Sequence, residues 1–450
     1  MASPHSGGPI VQRNKTVAVL GAGPMGLAVA YELLKRGYGV DIYERDDRIG
    51  GMSASTMIDG LKIERYYHFI CAQDRTLFEY LRELGIEDKL RWKQTKLGFY
   101  FDGRLYEWGN PLALLRFPGL DFVTKVRYGL HVLHTKGIKD WKALDRVPCT
   151  DWLKQWTGER GYDVLWRSLF EQKFYEYKDS LSAAWLGTRI QRVALSRKNA
   201  FVERLGYLEG GSDTLLEAID RRIRTMGGRI LLRTGVQEIV IGDEKQVTGV
   251  RAAGEVLPYA HVVSTIPLPY LVRIAPALPE SERAKIAAIV NIGVVCAVFK
   301  LRHPISPNFW TNINDPTIHI PGIIEYTNLN AMPFSIVYAP FYMPTSNAKY
   351  GRPAQEFVDE VKGYLARLNK DFRDDWVVAA NAFRYEFAQT VCTPGFYDKL
   401  PPVRSAIGGL YMADTSHYYP EDRSISESMR LGRQLANMLA DDDERQGARV

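Results

Sequence analysis

At 450 residues, with 46% hydrophobic and 24% charged side chains, the chain has material for two or three domains around a large core. Its formal net charge of +6 is mild for that length and fits a slightly basic globular protein, with nothing resembling a nucleic-acid module. Four widely spaced cysteines (Cys71, Cys149, Cys296, Cys392) imply neither a zinc site nor a disulfide framework, but reduced thiols in a cytoplasmic protein. No stretch approaches about 20 uninterrupted apolar residues, so no spanning helix is expected. Residues 1–15 lack the apolar segment of a signal peptide and read as a disordered tail.

Ordered structure is expected from Thr16. Thr16–Leu20 (TVAVL) is a short apolar, β-branched run, as a buried parallel strand should be. Gly21, Gly23 and Gly26 then give G-x-G-x-x-G at the entry to a helix over Leu27–Arg36, which Gly37 stops. The first glycine permits the turn, the second admits a pyrophosphate to the backbone, and the third lets helix and strand pack closely. Free N–H groups and the positive dipole end at the helix start favour phosphate. Tyr38–Tyr43 is the second strand, and Glu44 ends it, where a carboxylate can accept from ribose hydroxyls. Strand, turn, helix and acid in this order specify dinucleotide binding.

Gly50-Gly51, in ERDDRIGGMS, extends the motif beyond a nicotinamide fingerprint. With this doublet the chain resembles the FAD-dependent superfamily of amine oxidases, protoporphyrinogen oxidases and phytoene desaturases, and also UDP-galactopyranose mutases. The resemblance implies an α/β fold: a Rossmann-like FAD-binding domain of glutathione-reductase type with a discontinuous α+β substrate domain. It implies FAD, held by Gly21, Gly23, Pro24, Met25, Gly26, Glu44, Arg45, Gly50, Gly51, Met52 and Ser53. Met52 departs from the basic residue that many amine oxidases carry there. In the mutases a histidine-bearing segment after the doublet reaches the flavin. Tyr67-His68-Phe69 is similar in place, which makes His68 a candidate catalytic residue beside the alternative of a histidine packed at a domain seam.

Leu61–Trp92 begins as a strand and becomes a helix, with Asp74 as N-cap and Gly85 as its end. Phe99–Trp108 reads as a hairpin turning at Asp102-Gly103. From Pro111 to Trp185 the chain is helical and rich in aromatic and basic residues. Leu112–Thr135 mixes Leu, Phe and Val with Arg116, Lys125, Arg127, His131 and His134. That pattern is compatible with peripheral membrane contact, as in membrane-associated relatives, and equally with a solvated helix. Trp166–Tyr177 resembles the helix that walls the substrate pocket in oxidase and desaturase relatives, and core packing explains its aromatics equally well.

Ser212 is expected to cap a helix with Leu215, Leu216, Ile219, Ile223 and Met226 on one face, stopped by Gly227-Gly228. Strands follow at Arg229–Leu232, Val236–Ile241 and Val247–Ala252, then at His261–Pro267. The resemblance implies that the Val236 backbone meets adenine. Asn291–Lys300 is a strand on which, aligned at Gly293, the lysine of amine oxidases falls on Ala297, counting against ordinary amine oxidation. Pro316–Tyr342 supplies pocket-lining strands with His319, Glu325, Tyr326 and Asn328 as polar members. Glu325 is a candidate acid or base near the flavin, against a structural carboxylate. A helix over Ala354–Leu368 and a strand over Trp376–Phe387 follow.

Near the C-terminus a strand precedes Ala413-Asp414-Thr415, where relatives read A-G-D. Tyr418–Ile425 resembles the mutases' Y-Y-x-x-D-x-x-I segment, adding Asp414, Asp422, Arg423, Ser424 and Ile425 to the FAD residues. A helix starting near Ser424 would direct its N–H groups at the flavin. The expected boundaries are 16–70, 200–285 and 405–440 for the FAD-binding domain, and 71–199 and 286–404 for the substrate domain. The expected activity is an FAD-dependent oxidoreductase taking a hydride from a bulky, largely apolar or amine-bearing small molecule, lipid-like in character. The alternative is a redox-neutral mutase or isomerase on a nucleotide- or lipid-linked sugar. A binding protein without chemistry, like the prenyl-protein chaperones that share this fold, is opposed by the intact glycine turn. No metal and no nucleic-acid partner is expected, and the oligomeric state is open.

Overall fold

The computed structural model describes residues 15–199 and 202–448, so the expected tail lies outside them except for Lys15. A five-stranded parallel sheet has the order Leu410–Met412, His261–Ser264, Thr16–Leu20, Gly39–Tyr43 and Arg229–Leu231. The first expected strand is thus central, and Val17, Ala18 and Val19 are fully buried. That is why it reads as an unbroken apolar run: both of its faces are covered. On one face lie the helices Pro24–Leu34, Asp213–Thr225 and Ile425–Gly447, packed through Leu27, Leu33, Leu216, Ile219 and Leu435. On the other, Ala18, Leu20 and Val262 meet a small antiparallel sheet of Val236–Ile241, Val247–Ala252 and Glu255–Pro258.

Several boundaries moved: the strand expected over His261–Pro267 ends at Ser264, and that expected over Trp376–Phe387 runs Val377–Thr390. The first helix starts at Pro24 instead of Leu27, because proline at the first helical position gives up an N–H that would have no partner there. Met226 lies past the Asp213–Thr225 helix and is 38% exposed, so it is not part of the buried face. Gly26 is needed for contact, since a Cβ there would stand 1.9 Å from the Gly21 carbonyl oxygen.

A seven-stranded sheet runs Val377–Thr390, Asn291–Leu301, Ser335–Met343, Gly322–Glu325, Trp310–Asn314, Leu97–Phe101 and Arg104–Trp108. Its pairs are antiparallel except that of Leu97–Phe101 with Trp310–Asn314. The expected hairpin turn is present: Asp102 and Gly103 both have positive φ, 50° and 71°, as the tight two-residue turn requires. Asn291–Leu301 alternates strictly. Val294, Cys296 and Val298 face a layer of helices, while Val295, Ala297 and Phe299 face the helix Ala354–Leu368.

The helical layer comprises Phe122–Lys136, Cys149–Tyr162, Ser168–Phe174 and Ala183–Leu195, among others. Phe122–Lys136 is inverted. Thr124, His131 and Thr135 are its buried residues, while Phe122 (70% exposed), Val123, Val126, Leu130 and Leu133 (68% exposed) form a stripe on the outside. The expected cap at Asp74 is in position, but its carboxylate accepts from the Cys71 N–H (2.8 Å) and pairs with Arg192 (3.0 Å) instead of capping the helix. Ser212 likewise occupies the N-cap position without a side-chain cap bond. All four cysteines are buried and unpaired.

Candidate active site

One cavity of about 1790 Å³ runs from the glycine turn of the parallel sheet into the space between the seven-stranded sheet and the helical layer. At the first end it is lined by Gly21, Gly23, Pro24 and Met25, by Glu44 and Arg45, and by Gly51, Met52 and Ser53. Val236, Asp414, Asp422, Arg423, Ser424 and Ile425 complete that end. Sixteen of the nineteen expected site residues line this cavity, His68 among them, drawn together by the crossovers of the parallel sheet. Gly26 and Gly50 do not reach the cavity. Gly26 supports the helix–strand contact, and a Cβ on Gly50 (φ 111°) would stand 2.7 Å from Leu216 Cδ1, so both act on packing.

The local geometry fits a dinucleotide. A Cβ on Gly23 would meet nothing within 4 Å, so the backbone there is open to a ligand at the start of a helix. Glu44 Oε2 accepts from the Ala22 N–H and Oε1 from the Asp46 N–H, both at 2.8 Å, which fixes the carboxylate beside the turn. Ser424 Oγ accepts from the Glu427 N–H (3.1 Å) and caps the helix Ile425–Gly447, whose first residue lies on the cavity wall as expected. Arg423 Nε is buried without a hydrogen-bond partner beside that helix end. An unsatisfied cationic donor and an open helix N-terminus are what the anionic and carbonyl edges of FAD would satisfy. Asp414 is less available: its carboxylate accepts from the Leu268 N–H (3.0 Å), the Ser416 N–H (2.9 Å) and the Ser416 hydroxyl (2.6 Å). Burial pushes its carboxyl up, but His417 and those bonds outweigh it and hold the pKa low.

His68 reaches the cavity between the two ends. Its Nδ1 lies 2.8 Å from Glu64 Oε2 and its Nε2 3.5 Å from Ser53 Oγ, while Glu64 Oε1 accepts from the Ser212 N–H (2.8 Å). Glu64 therefore orients the ring. The far end is a chamber of Leu165, Trp166, Leu169, Trp185, Phe309, Trp310 and Tyr342, with Cys296 on its sheet wall.

Glu325 is not an active-site acid or base. It is 1% exposed and absent from the cavity lining, and it accepts from the N–H groups of Ile305 (2.9 Å) and Ser306 (2.8 Å) and from the Ser335 hydroxyl (2.8 Å). Of the polar residues expected beside it only Tyr326 lines the cavity; His319 and Asn328 do not. Ala297 faces the Ala354–Leu368 helix, so a lysine there would point away from the chamber. Lys300, farther along, is tied to Asp59 (2.9 Å).

Sequence reasoning missed two cations of the chamber wall, Lys173 and Arg189. They line the cavity beside the expected Arg423 and Asp422, and Asp422 pairs with Arg189 at 3.1 Å. Lys173 and Arg189 come from separate helices, and the one signal in sequence is a lone lysine between Phe170 and Phe174.

Fold and cavity together define a dinucleotide-binding protein whose cofactor end opens into a deep apolar chamber. The chain belongs to the flavin containing amine oxidoreductase family, whose model matches residues 26–421, and the cofactor is FAD. It is 28% identical over 256 residues to the 15-cis-phytoene desaturase of Synechococcus elongatus, an alignment covering 53% of each protein. The chain thus spans about half the length of the curated relatives it matches. Its fold is similar to that of putrescine oxidase bound to putrescine (TM-score 0.71, 18% identity, covering 95% of this chain and 99% of that one). It is also similar to cyclohexylamine oxidase from Brevibacterium oxydans (TM-score 0.72, 17% identity, 95% and 99%). Desaturases and oxidases as relatives do not favour the sugar-mutase alternative.

Proposed function

We propose that the chain is an FAD-dependent oxidoreductase that takes a hydride from a bulky, largely apolar small molecule. The observation that carries this reading is the continuity of one cavity from the glycine turn to an aromatic chamber. When bound, FAD supplies the two-electron oxidation, and the protein supplies orientation and exclusion of water. In this reading 16–70, 200–285 and 405–440 form the cofactor domain, and 71–199 with 286–404 the substrate domain. His68, oriented by Glu64, would present Nε2 at the junction of the two ends. An amine-bearing substrate is the weaker half of the expectation, because Lys173, Arg189 and Arg423 oppose an ammonium ion and Ala297 offers no lysine.

The test is anaerobic. Holoenzyme mixed with 15-cis-phytoene in liposomes should lose its oxidised flavin absorbance, and putrescine should leave it unchanged. Bleaching by putrescine alone would make this an amine oxidase; bleaching by neither would remove the oxidoreductase reading. Reoxidation on admitting air then separates an oxidase, which is fast, from a dehydrogenase or desaturase, which is slow.

A lipid surface as the source of substrate is supported by the inverted helix. Among the described residues no helix is long and apolar enough to cross a membrane. Yet Phe122, Val126, Leu130 and Leu133, with Leu112 and Leu115 of the preceding helix, expose a continuous apolar patch flanked by Arg116, Lys125 and Lys136. Leu133 and Lys136 also line the cavity, so the cavity reaches the surface beside this patch. Such a face suits peripheral contact with an anionic bilayer. The buried free thiols are compatible with a cytoplasmic location. Replacing Phe122, Leu130 and Leu133 together by glutamate should abolish co-sedimentation with vesicles containing phosphatidylserine while FAD stays bound. Unchanged sedimentation would return the patch to an ordinary surface.

A further inference from the structure

We infer that Lys173 is a catalytic base of this enzyme, taking the substrate proton when the hydride leaves. The inference rests on the oxidoreductase reading above and adds the group that completes its proton balance. Removing two hydrogens from adjacent carbons breaks two C–H bonds. One electron pair leaves with hydrogen to oxidised FAD, the other becomes the new C=C bond, and the second hydrogen leaves as a proton that needs an acceptor.

The carboxylates along the cavity are already committed. Asp422 is paired with Arg189, Asp74 with Arg192, Glu203 with Arg197 and Asp46 with Arg65, while Glu64 holds His68, Glu44 holds two backbone N–H groups and Asp414 accepts from the Leu268 and Ser416 N–H groups. Lys173 differs. Its amine faces the rings of Tyr342 (4.9 Å to the centroid), Trp185 (5.7 Å) and Phe174 (5.8 Å), and it lines the chamber. The charged groups around it are Arg423 and Arg189, with Asp422 the countercharge.

Those surroundings also set its proton affinity. Burial first, and then repulsion from Arg423 and Arg189, lowers its pKa from 10.5 to about 7, while Asp422 opposes the change. The three rings favour the cation and pull the same way as Asp422. Neutral and charged forms therefore lie close together near neutral pH, as a group that takes and releases a proton requires. Lys173 also supplies an amine to the chamber from a helix, where Ala297 faces away from it.

The experiment uses holoenzyme and 15-cis-phytoene in liposomes. The rate of anaerobic flavin bleaching should rise with pH through about 7 in the wild type. Lys173→Met should keep its flavin, lose that pH dependence and slow by about 100-fold or more. In Lys173→Ala, added methylamine should restore rate in proportion to its free-base concentration, which a packing role would not produce. Independently, labelling lysines with isotope-enriched formaldehyde should give one dimethylamine NMR signal titrating near 7. It would be identified by its loss in Lys173→Met, or in Lys173→Arg if the methionine variant does not fold. A wild-type rate and pH profile in Lys173→Met, or titration at the ordinary lysine value of about 10.4, overturns the assignment. A wild-type flavin that is not bleached at all overturns the oxidoreductase reading instead.

Discussion

Glu44→Ala should purify essentially free of flavin. In the folded chain both carboxylate oxygens are in use, Oε2 on the Ala22 N–H and Oε1 on the Asp46 N–H, each at 2.8 Å. The first bond fixes the backbone inside the glycine turn, and the second holds the chain that leads to the doublet. A hydrogen bond to a charged acceptor contributes about 1.5–3 kcal/mol. Losing this anchor together with a ribose acceptor should cost FAD binding about 3 kcal/mol, which is more than 100-fold in Kd. Flavin absorbance per protein and a fluorescence titration of FAD into apoprotein measure it. Glu44→Gln, which keeps one acceptor oxygen, should fall between wild type and alanine. A Glu44→Ala protein with full flavin occupancy would remove Glu44 from the ribose role.

That turn was legible in the sequence because its chemistry is local. The glycines answer constraints set within a few residues: Gly21 has φ 98°, and Gly26 has backbone 1.9 Å from where its Cβ would be. The Asp102-Gly103 hairpin and the start of the last helix at Ile425 were readable for the same reason. Faces were not. In Gly322–Glu325, Ile324 lines the cavity and Glu325, one residue on, points to the other side of the sheet. Alternation fixes that two such residues oppose each other, but which face becomes the chamber depends on the helices packed on it. Cys296 and Ala297 repeat the case on the neighbouring strand system. The Phe122–Lys136 helix is harder still, since its apolar stripe lies outside and His131 inside, stacked on Trp156. Lys173 could not be found by pattern because its partners come from the 183–195 helix, the 335–343 strand and residue 423.

Glu325→Ala should damage the fold and leave the chemistry of the folded fraction intact. The carboxylate closes the 305–306 turn onto the sheet, and its removal strands the N–H groups of Ile305 and Ser306 and the Ser335 hydroxyl in a buried site. Unsatisfied buried donors cost about 1–3 kcal/mol each, so about 3 kcal/mol or more of stability should be lost. Denaturant unfolding followed by tryptophan fluorescence reads this. Glu325→Gln should lose less, since one oxygen remains and a single N–H₂ group confronts a donor. The pH dependence separates the two further. Burial raises the Glu325 carboxyl above its ordinary 4.5, against the bonds from Ser335, Ser306 and Ile305 that favour the ionised form. A carboxyl raised by folding binds more protons in the native state, so stability falls as pH rises from the unfolded pKa through the folded one and is unaffected below both. That decline, starting near 4.5, should be present in the wild type and absent from Glu325→Gln. If either variant instead bleaches its flavin with altered pH dependence at unchanged stability, Glu325 is an acid–base group after all and the chamber extends through the sheet.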